Sequence, residues 1–437
     1  MHRNWAGNLT YSARSVARPT SLEELADVLL AGGPVRALGS RHSFNDVADT
    51  DGVHVQVDAL DDGRPAVEPV TPDDGGAEGE VVSVNAGLRY GEVSRALHAT
   101  GRALGNLASL PHISVAGAVA TATHGSGDTN QSLASAVEGL EIMTPGGELR
   151  RITRAGDPDV FPGTVVSLGA LGVVTRVELR TVPAYVVRQD VAADVPWDTF
   201  VASFDAITSA AYSVSAFTSW DEPAVRHVWF KSVARADSPE AAVDLAAGRP
   251  EVRGMAPGFL RWEDRPVHPL PGVDPAACTE QLGVPGPWHE RLSHFRLEFT
   301  PSAGEEVQSE YLLPRSSAPA AIEALRALGP RIAPLLQTSE IRTVAADDLW
   351  LSPFDGPSVA LHFTWLPRED DVRALLPEVE AVLVPLDGRP HWGKVSTLDP
   401  RDVAALFPRL DDFRALAHRF DPEGRLHGGL VGRLLAA

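Results

Sequence analysis

A chain of 437 residues exceeds one ordinary hydrophobic core, so two or three domains are expected, and 44% hydrophobic with 22% charged residues is a globular composition. The formal net charge of −20 excludes nucleic acid and anionic membrane surfaces as partners, because both call for a basic face. The single cysteine, Cys278, excludes an internal disulfide and any multi-cysteine metal site; with no apolar h-region in the first eight residues and no apolar run of transmembrane length, a reducing cytoplasm is the expected compartment.

In chain order, Ser21 and Glu24 have the spacing of a capping box and open a helix over Leu22–Leu30, which Gly32 and Gly33 stop. The run Val35–Leu38 reads as a strand that empties into Gly39-Ser40-Arg41-His42-Ser43-Phe44-Asn45. A tight polar turn of this kind aims several backbone N–H groups at one place, as the pyrophosphate of a nucleotide cofactor requires. On these seven residues alone, an ordinary surface turn with an incidental His42 is an equal explanation. Val53–Val57 and Glu80–Asn85 read as further strands, and the Gly-, Asp- and Pro-rich excursion Asp61–Gly79 between them as a surface loop or hairpin. Tyr90–Thr100 has helical spacing and ends at Gly101.

The stretch Asn106–Gly127 contains no Asp, Glu, Lys or Arg, yet it is rich in Ser, Thr, His and Gly. Small side chains let a ligand approach the backbone, and hydroxyls offer it neutral hydrogen bonds. A small-residue helix packed on a neighbour accounts for Gly117 and Ala118 but poorly for Ser109, Ser114, Thr121, Thr123 and His124 together, so a ligand wall is the favoured reading. Val137–Met143, the turn Pro145-Gly146-Gly147 and Glu148–Thr153 predict a hairpin. Gly169 and Gly172 then allow the strand Val174–Arg180 to start against a planar group or another backbone.

A domain boundary is expected near Pro183, where the texture changes to the loose alternation of antiparallel strands: Tyr185–Val191, Ser213–Trp220 and Val225–Lys231. Pro250–Pro287 reads as a long ordered loop system, and helical patterns return at Ala318–Leu328 and Asp370–Val382. Alternation places Glu340 and Arg342 on one face of a strand, with Ile341 opposite; His362 and Thr364 share a face, with Leu361 and Phe363 opposite. If those strands are neighbours, an acid, a guanidinium, an imidazole and a hydroxyl form one patch suited to a polyhydroxylated ligand. The run His391-Trp392-Gly393-Lys394-Val395 is expected as a third strand bringing Lys394. Each run by itself also fits a solvated sheet face. Cys278, between Ala277 and Thr279 with no evident base, reads as a packed thiol, and the fourteen histidines show no metal-ligand spacing, so no metal is expected.

Asn4-Trp5-Ala6-Gly7-Asn8, the seven-residue turn at 39–45, Ser109 to Gly117, Thr123 to Gly127, Glu340-Ile341-Arg342 and His391 to Lys394 together resemble the alditol (xylitol) oxidases, a branch of the vanillyl-alcohol oxidase flavoprotein superfamily. The resemblance implies an α+β fold with a PCMH-type FAD-binding domain (1–183), a substrate domain with an antiparallel sheet flanked by helices (184–400), and a C-terminal segment (401–437) returning to the first domain. It implies FAD joined covalently to His42 through the flavin 8α-methyl. Leu38, Gly39, Ser40, Arg41, Ser43, Ser109, Ser114, Gly117, Thr121, Ala122, Thr123, His124, Val174 and Lys394 would touch the cofactor. Ser109, Glu340, Arg342, Thr364 and Lys394 would bind a polyol such as xylitol or sorbitol, and Arg342, Lys394 and His362 would carry the chemistry, with O2 as electron acceptor and a monomer as the working unit.

Arg41 stands where relatives have glycine, Gly428 where they have asparagine, and the Asp61–Gly79 excursion is long and acidic. Two other functions fit the same residues: a sugar-1,4-lactone oxidase or dehydrogenase of the same superfamily, and a non-catalytic carbohydrate-binding protein.

Overall fold

The computed structural model describes residues 2–71, 80–235, 248–299 and 306–437; the last part of the Asp61–Gly79 excursion, residues 72–79, therefore lies outside the described residues. The chain starts with β1 (Ser15–Ala17), α1 (Leu22–Leu30), β2 (Val35–Ala37) and β3 (Val53–Val55), whose strands pair in parallel in the order β1-β3-β2. The Ser21 hydroxyl accepts the Glu24 N–H as predicted, while the Glu24 carboxylate reaches back to the N–H and hydroxyl of Thr20, one residue earlier than in the standard box.

Next come β4 (Val67–Val70), β5 (Val81–Asn85), α2 (Tyr90–Ala99), β6 (Arg102–Ala103), α3 (Val115–Ala120), β7 (Val137–Met143), β8 (Leu149–Thr153), α4 (Phe161–Val165), β9 (Val173–Arg180) and β10 (Val182–Pro183). The five strands β4-β5-β9-β7-β8 form an antiparallel sheet, and β6 pairs with β10. The Asp61–Gly79 excursion thus includes a real strand, β4, hairpinned to β5. Gly172 has φ +152°, and a Cβ there would run into the Met143 carbonyl and Ile142, so this glycine admits a neighbouring backbone and not a ligand.

Beyond Pro183 lie β11 (Tyr185–Pro196), α5 (Trp197–Ala202), α6 (Phe204–Thr208), β12 (Ser213–Thr218), β13 (Ala224–Arg235), β14 (Arg261–Trp262), β15 (Gly286–Pro287), β16 (Val307–Pro314), α7 (Ala318–Ile332), β17 (Leu336–Val344), β18 (Ser358–Trp365), α8 (Glu369–Leu383) and β19 (Arg389–Pro390). Nine strands make one antiparallel sheet, ordered β14-β11-β13-β12-β17-β18-β16-β19, with β15 also on β11. Alternation sorts its two faces. Val228, Phe230, Ile341, Leu361 and Phe363 point one way and are buried under α7 and α8, whose Ile322, Leu325, Val372, Leu376 and Val379 complete that core. The opposite face carries the polar residues and meets the N-terminal part of the chain.

The sequence reading did not predict β16, α5, α6 or the last helices, α9 (Pro400–Ala405), α10 (Leu410–Phe420) and α11 (Gly429–Ala436). The run at 391–395 is a turn following β19 and not a strand: Lys394 N donates to the His391 carbonyl and Gly393 N to His391 Nδ1. Gly393 supplies the bend that β-propensity at Trp392 and Val395 had hidden.

The tail returns to the first strands. Arg425 O accepts from Val35 N, and Arg433 forms a bidentate pair with Asp46. Arg36 is buried with no carboxylate in contact among the described residues; its guanidinium donates to the carbonyls of Leu426, Leu168, Val47 and Gly169 and so ties the tail to two loops. Gly428 is pressed onto the backbone at Asp49–Thr50, where any Cβ would collide with the Asp49 carbonyl. The asparagine expected there from the resemblance has no room in this packing. No helix among the described residues is long and apolar enough to cross a membrane.

Candidate active site

The turn after β2 is closed from three sides. Asn4 Nδ2 donates to Ser43 O and Asn8 Nδ2 to Phe44 O, so the Asn-Trp-Ala-Gly-Asn opening clasps it from outside. Trp5 stacks on the His42 ring with centroids 4.9 Å apart. On the inner side Ser40 and Ser114 exchange hydrogen bonds, Ser40 N to Ser114 Oγ and Ser114 N to Ser40 Oγ, and a Cβ on Gly39 would collide with that same Ser114 hydroxyl. The predicted turn and wall therefore sit face to face, and Gly39 is what lets them.

Among the described residues, the N–H groups of Gly39, Arg41, His42 and Ser43 meet no protein acceptor, which is the donor set an anionic phosphate needs. Arg41 has φ +65°, the left-handed region that favours glycine, so the glycine that the resemblance leads one to expect there would have a backbone reason. Its exposed side chain turns outward to the Arg3 carbonyl, leaving its backbone in the turn. Leu38 is buried and anchors the turn through Leu38 N to Val55 O.

The wall follows α3. Thr121 Oγ1 donates to Gly117 O and lies 3.3 Å from Thr123 Oγ1; Ala122, fully buried, has φ +55°. That strain is kept by the surrounding packing and directs the chain from the hydroxyl pair toward His124. Val174 lies on β9, which packs against α3, and is half-buried beside Ile142. Burial, more than any other influence, lowers the His42 pKa to about 4, which favours the neutral ring; Ser40 Oγ lies 3.1 Å from Nδ1.

Across from the wall, the polar sheet face assembles as alternation predicted. Glu340 on β17 stands opposite His362 on β18, and His362 opposite Glu310 on β16. Glu310 is the residue the sequence reading missed. It is 1% exposed and sits at the centre: Oε1 is 2.7 Å from Arg342 and 3.3 Å from His124 Nε2, and Oε2 is 2.7 Å from Lys394 Nζ. Burial alone would raise its pKa, but Lys394, His124 and Arg342 outweigh it and hold the carboxyl well below the usual carboxylate range. With Gln308 and Ser309 both polar, the run before it shows no clean alternation, and only the pairing of β16 with β18 buries Glu310.

Lys394 Nζ also donates to His362 Nδ1 at 2.6 Å, so the His362 proton is on Nε2, 3.1 Å from Thr364 Oγ1. Burial, reinforced by the Lys394 charge, lowers the His362 pKa to about 4. Burial likewise lowers that of Lys394. The Arg342 guanidinium reaches Ser109 Oγ at 3.4 Å across the cleft, while its Nε, 3.6 Å from Glu340, is buried without a hydrogen-bond partner. A buried N–H in search of an acceptor is what a ligand oxygen would satisfy.

The two sides are joined. Phe44 N donates to Gly393 O at 2.7 Å, and Asn45 Nδ2 donates to the carbonyls of Trp392 and Lys394. Turnwise placement of Lys394 against the His42 turn thus comes from Asn45 and not from sheet register. Of the predicted site residues, Glu340, Arg342, His362, Thr364 and Lys394 form one cluster, Ser109 touches it, and His124 reaches it through Glu310.

An uncharged wall with phosphate-type donors facing a charge-compensated polar sheet defines the class: residues 13–153 match the family of FAD binding domains, and the chain is a flavoprotein oxidoreductase. Residues 303–434 match the D-arabinono-1,4-lactone oxidase family. Over 436 residues, 99% of this chain and 98% of the other, it is 46% identical to the alditol oxidase of Streptomyces sp. (strain IKD472 / FERM P-14339). It is 28% identical to the L-gulono-1,4-lactone dehydrogenase of Mycobacterium tuberculosis (strain ATCC 25618 / H37Rv), covering 96% and 95%, and 25% identical to the L-gulonolactone oxidase of Bos taurus, covering 97% and 95%. The chain belongs to the alditol oxidase family.

Proposed function

We propose that the chain oxidises the terminal CH–OH of alditols such as xylitol or sorbitol to the aldose, residues 1–183 holding FAD and 184–400 the polyol, with O2 reduced to H2O2. The observation that carries this reading is the cluster Arg342, Lys394, His362, Thr364 and Glu340 around the buried Glu310, directly across from Ser109. FAD supplies the hydride acceptor at N5 that no side chain offers. The turn Gly39–Ser43, Leu38, and the wall residues Ser109, Ser114, Gly117, Thr121 to His124 and Val174 hold it, and His42 tethers it covalently.

The residues then divide the alcohol's demands. Lys394 has two N–H groups engaged, by Glu310 and His362, and burial lowers its pKa, so as a neutral amine it turns its lone pair to the reacting hydroxyl. It takes the hydroxyl proton there, and Glu310, 2.7 Å away, steadies the ammonium so formed while His362 holds its direction. Arg342 Nε stabilises the developing alkoxide or a neighbouring hydroxyl, and Thr364 and Glu340 receive hydroxyls further along the chain. Peroxide release from xylitol or sorbitol tests the reading. Turnover only of gulono- or arabinono-lactone would replace it with the lactone function that the match at 303–434 favours, and a protein isolated without flavin would point to carbohydrate binding alone. Denaturation followed by in-gel fluorescence tests the His42 tether.

A further inference from the structure

Further along the sheet face that carries Glu340 lies a second lysine–histidine pair that the proposed reaction does not use. Lys231, on β13, is 1% exposed and has no carboxylate in contact among the described residues; its side-chain nitrogen is held by the carbonyls of Leu292 and Ser293 and lies 3.2 Å from His294 Nδ1. Burial lowers the Lys231 pKa to about 7, and its nitrogen faces three acceptors that hold it in place. His294 in turn places Nε2 2.8 Å from Glu340 Oε1. A carboxylate oxygen at that distance needs a donor, so the His294 proton is on Nε2, and Nδ1 is left to accept from Lys231. Burial, with Lys231 beside it, lowers the His294 pKa to about 4, in keeping with one ring proton.

The ring cannot turn away. Trp229 and Phe217 pack on it at centroid distances of 5.2 and 5.6 Å, and His294 N and Phe295 N both donate to the Ser109 carbonyl. The consequence falls on Glu340. His294 and Arg342 Nε both lie on Oε1, while Oε2 meets no donor among the described residues. Glu340 thus presents the cleft with one oriented oxygen that can only accept.

We infer that Lys231 and His294 are positioning residues that lock Glu340 as an acceptor-only group, and thereby make the site select substrates with a hydroxyl donor remote from the reacting carbon. This rests on the alditol reading above. It assigns selectivity to two residues that touch no substrate: an ether, carbonyl or methylene at the remote position leaves Oε2 buried and unpaired.

The test compares xylitol with 1,2-pentanediol, which keeps the reacting end and lacks the remote hydroxyls, in wild type, His294→Phe, His294→Gln and Lys231→Met holoenzymes. His294→Phe should raise KM for xylitol about tenfold to a hundredfold, as expected for a hydrogen bond to a charged group, with kcat within about threefold. For the diol, kcat/KM should change less than about threefold. His294→Gln, which restores an N–H, should recover most of the loss, and Lys231→Met should fall between. Equal losses on both substrates, or no change in the xylitol KM, overturn the inference. If His294→Phe fails to fold, the same comparison on Lys231→Met decides it by the same criterion. Wild type that oxidises neither compound refutes the alditol reading instead, a distinct outcome.

Discussion

The two sides of the cleft use opposite means to hold polar groups out of water. The wall of residues 106–127 has no charge, and its hydroxyls and glycines pair locally: Ser40 with Ser114, Thr121 with Thr123 and Gly117. The sheet face concentrates charge, with Glu310 and Glu340 set against Arg342 and Lys394. A flat aromatic cofactor is met by shape and neutral donors, while a flexible polyol must be met hydroxyl by hydroxyl, and only fixed charges orient such contacts strongly enough. The turn beside the wall can therefore carry Arg41, whose side chain turns away, whereas the charges on the sheet compensate one another in a network and none changes alone.

Substitutions should separate the two sides. The largest effect is expected for Arg342→Ala or Lys394→Ala: each leaves Glu310 buried with one cation fewer, and kcat should fall about a hundredfold to a thousandfold in a peroxide assay while bound flavin is retained. Near-native turnover in both would dissolve the division of labour. Next, His42→Ala should abolish flavin fluorescence on a denaturing gel but leave the sheet-face chemistry intact, so that added FAD restores part of the activity; yellow colour surviving denaturation would place the tether elsewhere.

A smaller effect is expected from pH. His362 and His294 have pKa values lowered from 6.5 to about 4 by burial, so the unfolded chain binds protons that the folded one refuses. Their contribution makes stability fall as pH drops from about 6.5 to about 4, measurable as a declining Tm, and His362→Gln should flatten that slope. The Glu310 carboxyl, depressed in the fold, adds a loss of the same sign at still lower pH. The mildest change is expected for Asn45→Ala, which removes two hydrogen bonds to the Lys394 turn: about 1–3 kcal/mol of stability and a several-fold drop in kcat, with KM nearly constant.

Much of this was legible in the residues. Period-two alternation put Glu340, Arg342, His362 and Thr364 on one face because the sheet is covered on its other side by α7 and α8, so the apolar residues had only one place to go. The capping box at Ser21 and the hairpin at 137–153 follow local rules that packing did not override. What was hidden depends on long-range closure. Glu310 looked like an ordinary solvated carboxylate until β16 paired with β18 and buried it, and no local pattern marks His294, whose position comes from a loop stitched to Ser109. Lys394 was foreseen on a strand but is delivered by a turn that Asn45, 349 residues away in sequence, holds in place.

The stitching has one more consequence. The cleft is fastened at one end by Phe44 and Asn45 on the Lys394 turn and at the other by the Ser109 carbonyl on residues 294 and 295; Gly127 N to Thr343 O is a further bridge between its sides. Such a frame has no free hinge along these seams. Widening the cleft at any one of these seams breaks the hydrogen bonds that hold it, so its width is set by backbone as much as by the side chains that line it.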